Sequence, residues 1–204
     1  MMLLIFFFAA TLAATLTTAT PHRRRTIDPA NIVVIPGAGL PSLASLNLTA
    51  ADLYDPNFNP DLPPVTDLSP NMLHCAGPPD PVIPYRLDLA QVCLNFLNHP
   101  GNLNRPVVAH EPCERICTAK DNTPGVQDWV SVGVRAVNGK KESVSFAGHV
   151  AMAVEAVVRW CGYQGDEKLR VPGYEFAHAN GEMRVDVAGE VGKGKGPESM
   201  CGGK

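Results

Sequence analysis

Six cysteines, Cys75, Cys93, Cys113, Cys117, Cys161 and Cys201, are the residues of this 204-residue chain whose type and number most directly imply chemistry. An even set suits oxidation to three disulfides, with fifteen pairings formally open. Cys113-Glu114-Arg115-Ile116-Cys117 is spaced C-x-x-x-C, which neither a zinc ribbon nor a thioredoxin-type site uses. If that segment is helical, its two sulfurs share a face and serve two partners rather than each other. Cys75 to Cys161 is the one pairing we expect by name. Cys201 sits in a Gly/Lys-rich tail, where its thiol either staples the C-terminus back or forms an intermolecular disulfide.

Other constellations are incomplete. His110-Glu111-Pro112-Cys113-Glu114 begins like a zinc-protease helix, but Glu114 stands where the second ligand histidine belongs, and Pro112 disturbs the helix. Gly189 to Lys195 fits G-x-x-x-x-G-K, yet Gly196 replaces the magnesium-binding Ser or Thr and Pro197 follows where a helix should start. His149, near Glu155 and Arg159, and His178 are the remaining acid or base candidates. Neither comes with a nucleophile or a carboxylate pair at a recognisable spacing. No catalytic residue, metal or cofactor is therefore expected.

The elements that position these residues are legible from periodicity. Leu89, Val92, Cys93, Phe96 and Leu97 recur at helical spacing, with Asp88 and Gln91 able to cap the first turn. Val150, Ala151, Val154, Val157, Val158 and Cys161 do the same over 147–160, so each helix delivers a cysteine to the core. Trp129 to Val137 alternates and meets Asn138-Gly139, which predicts a hairpin returning through Val144 and Phe146. A second hairpin is predicted at Asn180-Gly181, where Met183, Val185 and Val187 face the core and Glu182, Arg184 and Asp186 face outward. Trp129 and Trp160 should both be half-buried. The fold class is α+β, a two-layer sandwich of an antiparallel β-sheet with two helices on one face, stapled by disulfides.

Residues 1–19 form an uncharged apolar run ending in small residues, Thr17-Thr18-Ala19, and read as a signal peptide leaving near Ala19. The expected location is therefore secreted and extracellular, with no stable membrane insertion. Arg23-Arg24-Arg25 suits processing after Arg25, which lowers Lys plus Arg from 17 to 14 against 20 Asp plus Glu, and the net charge from −3 to −6. That balance disfavours nucleic acid as a partner. Residues 20–73, with eight prolines over 26–74, read as a disordered linker or pro-region, with one glycosylation sequon at Asn47-Leu48-Thr49. The stapled domain is expected over 74–188, and a flexible tail over 189–204.

Cys75-Ala76-Gly77, the helix carrying Cys93, then Cys113, a hairpin, and Ser145 to Gly162 ending in Trp160-Cys161-Gly162 together resemble small secreted fungal effectors. The layout over roughly 74–188 is similar to the necrosis-inducing extracellular effector family and to the killer-toxin family encoded by smut-fungus viruses. In the toxin family the second helix ends in cysteine-glycine, and an alternating strand such as Met183 to Val187 closes the domain. Val92 stands where the effector family has an aspartate, and extra toxin-family cysteines are absent. The resemblance implies a secreted, non-enzymatic virulence or killing protein that binds a cell-surface or cell-wall target.

Two further classes suit the composition: a secreted hydrolase or carbohydrate-binding module, and a structural cell-wall protein. A flat exposed aromatic strip would favour the carbohydrate module. For a binding effector, Lys140 and Lys141 on the Asn138-Gly139 turn are the candidate contact tip, a positive point on an acidic protein.

Overall fold

The structure is a computed structural model and describes residues 26–54, 73–76, 84–163, 166–177, 181–190 and 201. The signal and processing positions Ala19 and Arg25, His178, Asn180 and most of the tail lie outside the described residues. In chain order the elements are β1 (Ile32–Pro36), α1 (Ala50–Tyr54), β2 (His74–Cys75), β3 (Tyr85–Arg86), α2 (Leu87–Leu97), β4 (Pro106–His110) and β5 (Glu114–Asp121). Then follow β6 (Trp129–Ala136), β7 (Glu142–Phe146), α3 (Ala147–Trp160), β8 (Gly162–Tyr163), β9 (Asp166–Arg170), β10 (Gly173–Phe176) and β11 (Met183–Glu190).

The main sheet has six strands in the order β1-β5-β6-β11-β10-β2, and every pairing in it is antiparallel. One row across it shows where the helices sit. Cys117 faces Val132, Val132 faces Val187, and Val187 faces Gly173. Cys117 is bonded to Cys93 of α2, while a Cβ built on Gly173 would fall 2.9 Å from Cys161 Sγ and 3.1 Å from Val157 Cγ1 of α3. Both helices therefore cover the same face, as the α+β reading requires. Leu89, Val92, Phe96, Val150, Val154, Val157, Met183, Val185 and Val187 are fully buried between the layers. Each large aliphatic side chain among them contributes about 1.5–3 kcal/mol by leaving water.

Three disulfides staple the domain, two of them joining a helix to the sheet. Cys75 pairs with Cys161 as expected, and Cys93 with Cys117. Cys113 pairs with Cys201, so Cys201 takes the intrachain staple rather than an intermolecular bond. The C-x-x-x-C segment is not helical: Cys117 lies in β5, where the pairing with β6 slips by a residue between Arg115 and Cys117. Its sulfurs still serve two different partners, because Cys113 lies just outside the strand.

The expected boundary at residue 74 needs correction. Residues 26–54 are part of the packed domain. β1 pairs with β5 from Ile32 opposite Asp121 to Pro36 opposite Cys117, which a proline tolerates at a sheet edge. Ile27, Ile32 and Leu53 are buried in the core, and Asn95 Nδ2 of α2 donates to Leu53 O at 2.7 Å. Gly37 donates to Ile116 O and sits so close to β5 that a Cβ there would meet Arg115 O at 2.1 Å.

Asn47 is exposed within this arm and takes a left-handed conformation, φ 54°, after a short 3-10 turn. Thr49 and Asp52 cap α1 reciprocally: Thr49 N and Oγ1 donate to Asp52 Oδ2, and Asp52 N donates to Thr49 Oγ1. Asn47 is exposed, so removing any glycan attached there should leave the melting temperature unchanged. Asn47→Gln should cost about 1 kcal/mol, since a longer side chain is disfavoured at positive φ, whereas Asn47→Gly should not. Thermal melts of the three forms check this, and equal melting of the Gln and Gly variants would contradict it.

Two local expectations also change. Asp88 lies inside α2, not at its cap; the cap residue is Arg86, whose Nε donates to Asp88 Oδ1 at 3.0 Å. The turn at Asn138-Gly139 forms, with φ of 57° and 75° and Lys140 N donating to Val137 O. Its return strand β7 does not pair with β6; it pairs with β4 in a separate two-stranded sheet, because β6 is already flanked by β5 and β11. The hairpin of β10 and β11 forms as expected.

Candidate functional site

With α2 and α3 on one sheet face, the opposite face carries the half-exposed side chains Arg135, Arg184, Tyr174 and Phe176 and the exposed His74, while Thr118, Trp129 and Ser131 on that same face are buried. Alternation assigns that face to the residues between the core valines. One row runs Gly133, Asp186, Tyr174, His74, and the adjacent row runs Arg135, Arg184, Phe176. Arg135 and Arg184 are direct cross-strand neighbours, an arrangement of like charges that is unfavourable unless something holds it. Asp186 holds it. Its Oδ1 accepts from Arg184 Nε at 2.9 Å and Nη2 at 2.5 Å, and its Oδ2 accepts from Arg135 Nε at 3.0 Å. Asp186 is only 8% exposed, so its charge is well shielded and the two guanidiniums are fixed rather than free to wander.

Tyr174 supports the pair from below. The Arg184 guanidinium carbon lies 3.5 Å from the Tyr174 ring centroid, and His74 stacks on Tyr174 with centroids 4.6 Å apart and planes at 20°. Phe176 meets Tyr174 edge-on at 6.2 Å. The faces of Tyr174 are thus occupied by Arg184 and His74. This cluster is not an aromatic strip on which a sugar ring could stack.

The Lys140 and Lys141 tip borders the same site. Val137 N donates to Glu182 O and Asn138 Nδ2 to Gly181 O, which fastens the turn to the start of β11, one row beyond Arg135 and Arg184. Lys140 Nζ is 3.2 Å from Glu182 Oε1, so part of the tip's positive charge is compensated. Four cations, Arg135, Arg184, Lys140 and Lys141, share this end of the sheet with two carboxylates, Asp186 and Glu182, in a chain of net charge −3. Trp129 is buried at 6% exposure, and Trp160 is largely exposed at 66%. Neither is half-buried as expected: Trp129 is buried on the sheet face away from the helices, and Trp160 is the last residue of α3.

Glu175 lies on the helix side of β10, 2% exposed, with Oε1 accepting from Phe176 N at 2.8 Å and Oε2 without a partner. Burial raises its pKa, opposed by that hydrogen bond and by His74. A carboxyl whose folded pKa exceeds its unfolded value stabilises fully below the unfolded pKa and loses that contribution as pH rises through the folded one. Wild-type stability should therefore gain on acidification from neutral towards pH 4.5 relative to Glu175→Gln, as read by urea unfolding at both pH values. A parallel pH dependence in the two proteins would contradict this.

The sequence-flagged histidines are dispersed. His110 ends β4, with Glu114 Oε1 at 3.8 Å and Glu142 Oε2 at 4.0 Å; among the described residues no cluster of three His, Cys, Asp or Glu could hold a metal ion. His149 meets Ser145 Oγ at 3.4 Å and packs edge-on against Phe146, while Glu155 pairs with Arg159 instead. The Ser145 and His149 pair sits at the start of α3, where Ala147 N donates to Arg105 O and Gly148 N to Leu103 O. Those N–H groups are spent, so this helix end offers neither of them to an oxyanion.

The chain is thus a disulfide-stapled α+β domain whose ordered polar cluster lies on the sheet face away from α2 and α3. Compared with protein-family models, with curated proteins and with solved structures, it matches none.

Proposed function

We propose that the chain is a secreted binding protein of the effector or killer-toxin kind, which engages a surface target on a host or competitor cell. The observation that carries this reading is the asymmetry of the sandwich. One sheet face is committed to α2 and α3, and the other presents Arg135, Arg184, Tyr174 and His74 in fixed positions beside an exposed lysine-bearing turn. Three disulfides suit an oxidising compartment, and among the described residues no helix is long and apolar enough to cross a membrane. The test is intact mass of the protein recovered from culture supernatant, followed by its retention on fungal and plant cells. A mass beginning at residue 20 or 26 and saturable retention are expected. A chain that keeps residues 1–19, or turnover of a polysaccharide or peptide by the pure protein, would overturn the reading.

A further inference from the structure

Beyond the arginine-bearing face, we infer that the outer edge of β7 docks an extended peptide segment of a partner protein, with apolar residues at alternate positions and an acidic residue at the end that meets Lys141. β7 inverts the pattern that folding alone favours: it buries Ser143 and Ser145 and leaves Val144 54% and Phe146 48% exposed. On β4, Val108 stands opposite Val144 and the exposed Pro106 opposite Phe146, so the four share one outward face. The main chain at the same residues of β7 is unpaired. Ala147 N donates to Arg105 O in the register that sets Ser145 against Val107 and Ser143 against Ala109. Bonded pairs alternate with unbonded ones in an antiparallel ladder. Glu142, Val144 and Phe146 therefore turn their N–H groups away from β4, and no described residue accepts from them.

The edges of β1 and β4 are blunted by proline, and that of β7 is not. On β1, the bonds from Gly37 N to Ile116 O and from Asn122 N to Asn31 O fix the alternation that points Ile32, Val34 and Pro36 outward. Ile32 N is taken by Pro29 O, and Pro36 has no N–H to offer. On β4 the outward position Pro106 likewise lacks a donor. β7 combines outward donors with exposed apolar side chains, as strand addition requires: main-chain bonds supply affinity and alternate side chains select. A lipid surface would leave those donors unmet. A second copy paired about Val144 would set Glu142 against Phe146 twice, a charge against an apolar ring. Charge complementarity selects the acidic end: Lys141, beside the start of β7, is exposed and has no ion-pair partner among the described residues, whereas Lys140 is paired with Glu182.

Fluorescence anisotropy with the full secreted chain tests this. The probe is a short labelled peptide of alternating valine and threonine ending in aspartate, N-methylated on alternate amides so that a single edge remains for pairing. It should bind, and the same peptide methylated on every amide should bind at least about tenfold more weakly. Val144→Pro removes one outward donor while sparing every bond between β7 and β4, and should weaken binding about tenfold at an unchanged melting temperature. Val144→Thr keeps the donor and loses apolar contact; it should bind about threefold more weakly, and it serves if the proline variant fails to fold. Lys141→Gln should weaken binding of the aspartate peptide but not of its asparagine counterpart. No binding by the single-edged peptide, equal binding by the fully methylated one, or full binding by folded Val144→Pro would overturn the assignment. So would a dimer in sedimentation velocity that Val144→Pro abolishes, which makes the occupant a second copy, or co-sedimentation with phosphatidylcholine vesicles that Val144→Thr abolishes, which makes it lipid. Peptide binding is read without cells, so loss of cell retention and loss of this edge are told apart.

Discussion

Replacing Cys75 and Cys161 together by alanine should lower stability by about 4–5 kcal/mol, close to the whole folding free energy of many domains of this size. The bridge spans 86 residues and encloses α2, β4 to β7 and α3. In the chain-entropy model a loop of that length costs the unfolded state far more freedom than the 24-residue loop closed by Cys93 and Cys117, for which about 3 kcal/mol is expected. The native side of the balance adds little correction, since Cys161 is buried at the end of α3 and alanine fits there. Urea unfolding of the two double variants gives the comparison directly. A loss below about 1 kcal/mol for the Cys75 and Cys161 pair would show that the remaining contacts already fix β2 on β10 in the unfolded ensemble.

Leu53→Ala should cost about 2–5 kcal/mol, although Leu53 lies in a segment that reads as a proline-rich arm. Its side chain is fully buried in the shared core, and its carbonyl accepts from Asn95. Asn95→Ala should cost about 1–3 kcal/mol by leaving that carbonyl without its donor, and Asn95 also accepts from Gln91 Nε2 at 2.9 Å. Because the two residues share one contact, the double variant should lose less than the sum of the singles. A Leu53→Ala loss under about 0.5 kcal/mol would place residues 26–54 outside the cooperative unit.

Where burial follows a regular period, the sequence was a faithful guide. The apolar stripes of α2 and α3, the alternation of β11 and the fold class all came from spacing that one face of a helix or strand dictates. The Cys75 to Cys161 pairing was named without a periodicity behind it; its reason is the register that puts both residues beside Gly173. What spacing could not convey was long-range pairing. β1 is only five residues, and its Ile-Val-Val-Ile-Pro sequence reads as an isolated apolar run until β5 is brought beside it. Proline density argued for an unpacked arm, yet Pro36 sits at a sheet edge where its missing N–H costs nothing. β7 reverses the usual pattern, burying Ser143 and Ser145 and exposing Val144 and Phe146, so no alternation rule assigns its partner.

The candidate site was half legible. Arg184 and Asp186 were placed on the outward face of the last strand, and Lys140 and Lys141 on a turn. Arg135, Tyr174 and His74 were not singled out, because cross-strand neighbours fifty or a hundred residues apart share no local signal. Only the register of β6, β11, β10 and β2 puts them together.

The most direct measurement of the central claim is retention of the secreted protein on intact target cells for wild type, the Arg135→Lys and Arg184→Lys pair, and the Lys140→Glu and Lys141→Glu pair, with melting temperatures taken alongside. The account predicts that all three fold with similar melting temperatures, that the arginine variant loses most of its retention at unchanged charge, and that the lysine variant loses part of it. Full retention by a folded arginine variant would contradict the assignment of the Arg135 and Arg184 face as the binding surface.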